Sequence, residues 1–173
     1  LTAQNSFWAD VEQPIRPGTR QYIQPEEYRL VQIQLEDLKA YLAQAPQEST
    51  VKARESEFEL QLPTPDGGWE RFRLVSSPVM APGLKRLFPR IQTFLAKSID
   101  HPRALARLDY TPHGFHAMVL DGERTYFIDP YYFDQPAGVY ASYFKRDYPA
   151  QQDFTCHTEA LATDPSNTAV QSS

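Results

Sequence analysis

The single cysteine, Cys156, is the residue of this chain with the most definite chemical potential. It follows the last predicted strand, and its neighbours Thr155, His157 and Thr158 are polar, so burial is not the expected state. One cysteine cannot form an internal disulfide, and an exposed thiol on an exported protein is a liability unless something occupies it. A thiolate binds zinc at about 2.3 Å, and at the open position of a catalytic zinc it displaces the nucleophilic water. Cys156 is therefore a candidate ligand for a zinc ion held by a partner, whereas no cofactor is expected in this chain itself.

The other residues that could do chemistry have simpler explanations. His113 and His116 are three positions apart, but they lie in a turn-to-strand context without a matching carboxylate. His116 is therefore predicted to be a hydrogen-bonded strand residue rather than a metal ligand. Glu57 and Glu59 fit the solvent face of an amphipathic strand better than a glycosidase pair. The adjacent cysteine and histidine of the tail lack the fixed geometry that an activated nucleophile requires. The sequence has no HExxH, G-x-S-x-G or CxxC motif, and we expect no catalytic site in this chain.

Composition and charge narrow the class of protein. The chain has 173 residues, of which 41% are hydrophobic, enough for one globular domain with a real core. The net charge of −5 argues against a nucleic-acid partner, which would select a basic face. No run approaches the roughly 18 apolar residues that span a bilayer, so we expect a soluble chain without a membrane partner. The start, Leu1 to Gln4, fits either the end of a signal peptide or an arbitrary boundary.

Periodicity predicts a mainly β (α+β) domain, a single antiparallel sheet or a sandwich-like fold with one or two short helices. The predicted strands are 28–34, 58–62, 69–75, 91–99, 104–110, 114–120, 125–128 and 139–144. Leucines at helical spacing, Leu35, Leu38 and Leu42, predict a helix in a segment that Pro46 ends, and 83–88 is a candidate for a second one. The turn sequence 63–68 joins two strands into a hairpin. Residues 1–20 are predicted to be an arm held by Phe7 and Trp8, 21–148 the core, and 149–173 a switch-like segment and linker.

Two further expectations concern the final third of the chain. The stretch 114–120 is apolar on both faces of the predicted strand, so it is predicted to lie centrally in a sheet. The aromatic residues between Tyr126 and Tyr148 could form a face for a sugar or a peptide, with Tyr131 and Tyr132 as the contact residues. Packing within the sheet is the interpretation we favour. Lys145-Arg146 is expected to be a structural charge pair at a strand end rather than a cleavage site.

Three strings in this region carry a resemblance to a known family. They are GFHAMV at 114–119, TYFIDP at 125–130 and YASYFKRDY at 140–148, followed by Cys156. In this order they resemble the propeptide of reprolysin-like (adamalysin-type) zinc metalloproteases. The stretches 62–67, 71–73 and 77–82 are similar to the pro-regions of secreted bacterial members. The resemblance extends over about residues 7–159 and depends on the order of several short motifs.

The resemblance implies a non-catalytic pro-domain that assists folding and keeps a zinc protease latent. The partner would be its own downstream or cognate metalloprotease domain, the zinc would belong to that domain, and the precursor would be secreted or reach the cell surface. The switch ligand maps onto Cys156. In the family a glycine follows this cysteine, whereas His157 stands here, and no arginine or lysine follows Arg146. The alternative from another class is a non-catalytic cell-surface β-domain for adhesion or carbohydrate binding.

Overall fold

The computed structural model describes residues 7–11, 20–79, 86–88, 90–133 and 138–149. Within these ranges one antiparallel sheet contains nine strands, in the order β1-β2-β9-β8-β7-β6-β5-β4-β3. The strands are β1 (Trp8–Asp10), β2 (Arg29–Ile33), β3 (Glu59–Pro63), β4 (Trp69–Ser76), β5 (Gln92–Ser98), β6 (Leu105–Thr111), β7 (Gly114–Leu120), β8 (Tyr126–Pro130) and β9 (Val139–Phe144). The single-sheet form of the sequence prediction is confirmed.

From β3 to β9 the chain forms a meander in which each strand pairs with the next one along the sequence. Two turns depend on glycine in the left-handed region. Gly67 (φ +90°) lies in the β3–β4 turn, and Gly114 (φ +124°) closes the two-residue β6–β7 turn. Strand β2 then pairs with β9, and β1 pairs with β2, so the first strands complete the far side of the sheet. The two strands at the start of the chain thus extend the sheet beyond β9, and the sheet is nearly closed.

The predicted helix is confirmed as α1 (Leu35–Leu42), with Glu36 and Asp37 in its first turn. Its buried leucines join the main hydrophobic core. Tyr41 stacks on Phe58 with ring centroids 4.4 Å apart and also contacts the ring of Phe7 at 5.2 Å. Because Phe7 precedes β1 and Phe58 precedes β3, α1 bridges the two edge strands. Of the second helix candidate, 83–88, residues 83–85 lie outside the described residues.

The main core lies on the inner face of the curved sheet and draws side chains from every strand and from α1. A second, smaller cluster covers the outer face of β9 and consists of Ile23, Tyr131, Tyr132, Val139, Ala141 and Tyr143. Strand β9 is therefore buried on both faces along its whole length. Within the described residues no helix combines the length and hydropathy of a membrane span.

The stretch 114–120 forms a central strand, as predicted, but apolar side chains on its outer face are partly exposed. Strand β7 is the fifth of nine, so its central position is confirmed, but Met118 and Leu120 on its outer face are 36% and 43% exposed. The strand that is covered on both faces is β9, because the segment from Gln21 onward packs over it. Strand β8 also continues through Asp129-Pro130, where the sequence predicted its end, since Pro130 pairs with Tyr140.

The N-terminal aromatics pack on the core as predicted. Trp8 is only 4% exposed, and its ring meets Phe115 and Tyr140 edge-on at 5.7 and 6.1 Å. The segment that carries it forms β1, in register with β2 from Trp8 opposite Ile33 to Asp10 opposite Val31. Residues 8–10 are thus part of the sheet rather than an arm lying on it.

Candidate functional site

The predicted zinc ligand and its neighbour, Cys156 and His157, lie outside the described residues. Among the described ranges no group of three or more histidine, cysteine, aspartate or glutamate side chains is placed to hold a metal ion. Of the predicted solvent-face carboxylates, Glu57 is exposed and Glu59 lies 3.8 Å from the Arg73 guanidinium across the β3–β4 pair. At the end of β9, Arg146 forms an ion pair with Asp147 at 3.6 Å.

The clearest concentration of titratable groups lies on the outer face of β6, β7 and β8. His116 on β7 is opposite Asp109 on β6, and the β7–β8 register brings Asp129 to its other side. His116 Nδ1 is 2.7 Å from Oδ1 of Asp129, and the Tyr143 hydroxyl of β9 donates to Oδ2 of the same carboxylate at 2.7 Å. We call Asp109, His116, Asp129 and Tyr143 the outer-face cluster. It joins four consecutive strands of the sheet through polar side chains.

The cluster favours a protonated imidazole. Burial alone lowers the pKa of His116, but the hydrogen bond with Asp129 and the negative charges of Asp129 and Asp109 outweigh it, so that the pKa lies above its ordinary value. Burial raises the pKa of Asp109, an effect that the charge of His116 opposes and that of Asp129 reinforces. Burial and the charge of Asp129 also raise the pKa of Tyr143, which therefore remains a hydrogen-bond donor.

A shallow pocket of about 320 Å³ lies beside the cluster. Its lining consists of Tyr22, Thr111, His113, His116, Pro130, Tyr132 and Phe133. Tyr22 and Phe133 form its exposed aromatic rim, with ring centroids 4.7 Å apart in an edge arrangement. The segment that carries Tyr22 is fixed to the sheet, since Tyr22 N–H donates to the Tyr131 carbonyl at 2.9 Å. This rim is therefore a preformed feature of the outer face.

Tyr131 and Tyr132, the residues named for a sugar-binding face, are buried at 2% and 5% exposure. Their rings meet edge-on at 4.8 Å, and the Tyr131 hydroxyl lies 3.0 Å from that of Tyr28. Tyr143 also contacts the ring of Tyr148 at 5.6 Å. The favoured interpretation, that the aromatics of this region pack within the sheet, is confirmed for these residues.

The cluster can hold and orient a charged imidazole, but the geometry differs from that of an activated nucleophile. His116 uses Nδ1 to bond a carboxylate, which sets its tautomer or its charge as the aspartate of a catalytic triad does. No hydroxyl or thiol contacts His116 among the described residues that surround it. The cluster thus places a cationic hydrogen-bond donor beside an aromatic rim, an arrangement that can bind a polar group.

The sequence predicted His116 correctly as a hydrogen-bonded strand residue, but the prediction missed its partner. The expectation that the two histidines lack a matching carboxylate is wrong for His116, because Asp129 is that carboxylate. The sequence did contain a signal for Asp109, the other acidic neighbour of His116. A two-residue turn pairs Thr111 with Gly114, and counting back from that pair places Asp109 opposite His116. The connection between β7 and β8 is longer, so the strand register that brings Asp129 to His116 cannot be found by counting.

Comparison with known proteins finds no family model that matches this chain, and no curated protein or solved structure matches it either.

Proposed function

We propose that this chain is the non-catalytic pro-domain of an exported zinc metalloprotease, which it helps to fold and holds inactive. One observation carries the proposal. The three strings that resemble reprolysin-like propeptides occupy β7, β8 and β9, which are consecutive and mutually paired in the middle of the sheet. The strings therefore form one structural unit, and the thiol follows that unit in the sequence.

The covalent distance between the folded unit and the thiol suits an intramolecular inhibitor. Tyr148 packs on Tyr143, and Pro149 and Cys156 are seven positions apart. An extended chain spans at most about 3.6 Å per residue, so a tether from Pro149 to Cys156 is at most about 25 Å long. A short tether of this kind would hold the thiol at millimolar effective concentration next to a protease domain bound to the folded unit.

The thiol would act by coordination. Its proton would go to solvent, and the Cys156 thiolate would be one ligand of the zinc held by the protease domain, at the position that the nucleophilic water otherwise takes. Because thiolate binding needs deprotonation, acid favours release of the protease. The zinc belongs to the partner domain, and this chain contributes one ligand and the surface that positions it.

Inhibition of the protease encoded in the same reading frame tests the proposal. The purified chain should inhibit that protease at micromolar concentration or below. In a matched pair, Cys156→Ala should weaken inhibition strongly, and Thr155→Ala, a neighbouring substitution, should not. Absence of inhibition by the unaltered chain would refute the proposal. Equal inhibition by the Cys156→Ala variant would assign latency to steric blockage and remove the thiol from the mechanism.

The alternative, a cell-surface β-domain that binds carbohydrate, is supported by the exposed rim of Tyr22 and Phe133 beside the pocket. Flat rings at a shallow pocket offer contact area at low entropic cost. Glycan-array binding that is lost in Tyr22→Ala and Phe133→Ala, but kept in Phe88→Ala, would favour this function over latency. Tyr131 and Tyr132 are unsuitable for this test because their burial would confuse lost binding with lost folding.

A further inference from the structure

The connection between β4 and β5 carries the three most exposed large apolar side chains of the described residues. Leu87 is 73% exposed, Val79 is 68% exposed and Phe88 is 49% exposed. Exposed side chains of this kind normally occur singly, and three on one connection indicate an interaction surface. No packing role within the described part of the sheet accounts for them.

The base of the connection is fixed to the sheet. Ser77 N–H donates to the Thr93 carbonyl at 2.9 Å, and the Thr93 hydroxyl donates to the Ser77 carbonyl at 2.7 Å. Ile91 N–H donates to the Phe88 carbonyl at 3.1 Å. Beside the connection lies a groove of about 220 Å³ whose apolar lining is Leu42, Ala43, Ala45, Pro78, Val79 and Ile91. Val79 lines this groove, and Leu87 and Phe88 are further exposed apolar side chains on the same connection.

The charge on this surface is positive. Arg86 and Arg90 are both exposed, and neither forms an ion pair within the described part of the chain. The nearby carboxylate of Glu48 accepts a hydrogen bond from the Ser77 hydroxyl. The same hydroxyl accepts a hydrogen bond from Arg107 at 3.2 Å, so the negative charge of Glu48 already has a positive neighbour in Arg107. A partner that complements the two exposed arginines has carboxylates at the border of an apolar cleft.

We propose that Leu87, Phe88, Arg86 and Arg90 form a docking element that inserts into an acidic-bordered apolar cleft of the protease domain. This inference rests on the proposed function and names the surface through which the chain holds its partner. A symmetric dimer fits less well, because it would place the arginines of one copy against those of the other. An anionic membrane also fits less well, since lipid-binding sites use clusters of about four to eight basic residues and this chain is acidic overall.

The test measures binding of the full chain to the protease domain encoded in the same reading frame. The Leu87→Ser/Phe88→Ser variant should raise the Kd about tenfold or more, because both apolar contacts are lost. Arg86→Glu/Arg90→Glu should slow association and remove most of its salt dependence. The control is Met118→Ser/Leu120→Ser, which removes two exposed apolar side chains from β7 and should leave the Kd unchanged. All six positions are exposed, so thermal melting should show every variant folded.

The outcomes separate this inference from the proposed function. If the unaltered chain binds the protease and the Leu87→Ser/Phe88→Ser variant binds equally well, the docking element is refuted and the pro-domain function stands. The docking element is also refuted if the β7 control loses as much affinity as the Leu87→Ser/Phe88→Ser variant. If the unaltered chain does not bind, or the reading frame encodes no protease, both proposals fail. Binding to anionic vesicles or self-association that depends on Leu87 and Phe88 would assign the surface to those partners instead.

Discussion

The Arg29 guanidinium lies over the ring of Trp69, with 4.7 Å between Cζ and the ring centroid. Arg29 is on β2 and Trp69 on β4, second and eighth in the strand order, so this contact crosses the gap that the strand pairing leaves open. Arg29 Nη1 also donates to the carbonyls of Gly68 at 2.6 Å and Thr64 at 3.1 Å. On the same side Ser142 Oγ donates to the Pro63 carbonyl at 2.8 Å. Side chains, not strand pairing, therefore close the sheet.

Replacing Arg29 should open this closure. The side chain is only 9% exposed and also bonds Asp10 at 2.6 Å, so Arg29→Ala removes several charge-assisted hydrogen bonds at once. We expect a loss of about 2–4 kcal/mol in the free energy of unfolding in urea. Arg29→Lys should recover less than half, because an ammonium cannot bind two carbonyls and a ring in one plane. Arg54→Ala, which breaks an exposed pair with Glu55, should cost less than about 1 kcal/mol.

Glu70 has a buried carboxylate, so removing one of its hydrogen-bond donors should lower the stability of the domain even when the substitution is conservative. Ser98 Oγ donates to one of its oxygens at 2.5 Å, and the Tyr126 hydroxyl donates to the other at 3.1 Å. Tyr126→Phe keeps the ring but leaves that oxygen without its donor, so the free energy of unfolding should fall by about 1–3 kcal/mol. Tyr110→Phe is the control, because its hydroxyl forms no hydrogen bond to the described residues. Equal small effects at both positions would contradict this account of Glu70.

Stability should fall as the pH rises through the range in which His116 titrates. The folded pKa of His116 is raised, so its contribution is complete below the ordinary value of 6.5 and is lost as pH passes the folded pKa. Urea unfolding midpoints should decline as the pH rises above the ordinary pKa of 6.5 toward the raised folded pKa. His116→Gln should remove this part of the slope, and His113→Gln, at an exposed position, should keep it. A direct NMR titration of His116 that gives a value below the ordinary pKa would refute the prediction.

Truncation of the Trp8 side chain should show that β1 belongs to the domain. Trp8→Ala removes a ring packed between Phe115 and Tyr140, and the expected loss is about 3–5 kcal/mol. Leu120→Ala removes an apolar side chain from a half-exposed position and should cost less than about 1 kcal/mol. If thermal melts show the Trp8 variant as stable as the Leu120 variant, the N-terminal strand contributes little and the domain begins later.

The alternation of polar and apolar residues along the strands predicted only partly which side chains point into the core. Leu60 and Leu62 of β3 point inward as their spacing predicts. In β4, however, the inward positions are Glu70, Phe72 and Leu74, whereas Trp69 is 39% exposed on the outer face. Hydrophobicity alone would bury Trp69 and expose Glu70, which is the reverse of the observed arrangement. The hydroxyls of Ser98 and Tyr126, from two other strands, satisfy the carboxylate, and Arg29 covers the indole.

The sequence by itself determined most of the local elements: the helix that begins at Leu35, eight of the nine described strands, and the turns of the hairpins. These follow from period-2 and period-3.6 patterns and from glycines at turns, which act between near neighbours. Only the tertiary structure decided that β2 joins β9, that β9 is the strand buried on both faces, and that His116 meets Asp129. Such contacts depend on the burial and hydrogen bonding of segments far apart in the sequence; Leu30 and Ala141, for example, are 111 positions apart. No local pattern encodes them, because loop closure and surface burial are properties of the whole chain.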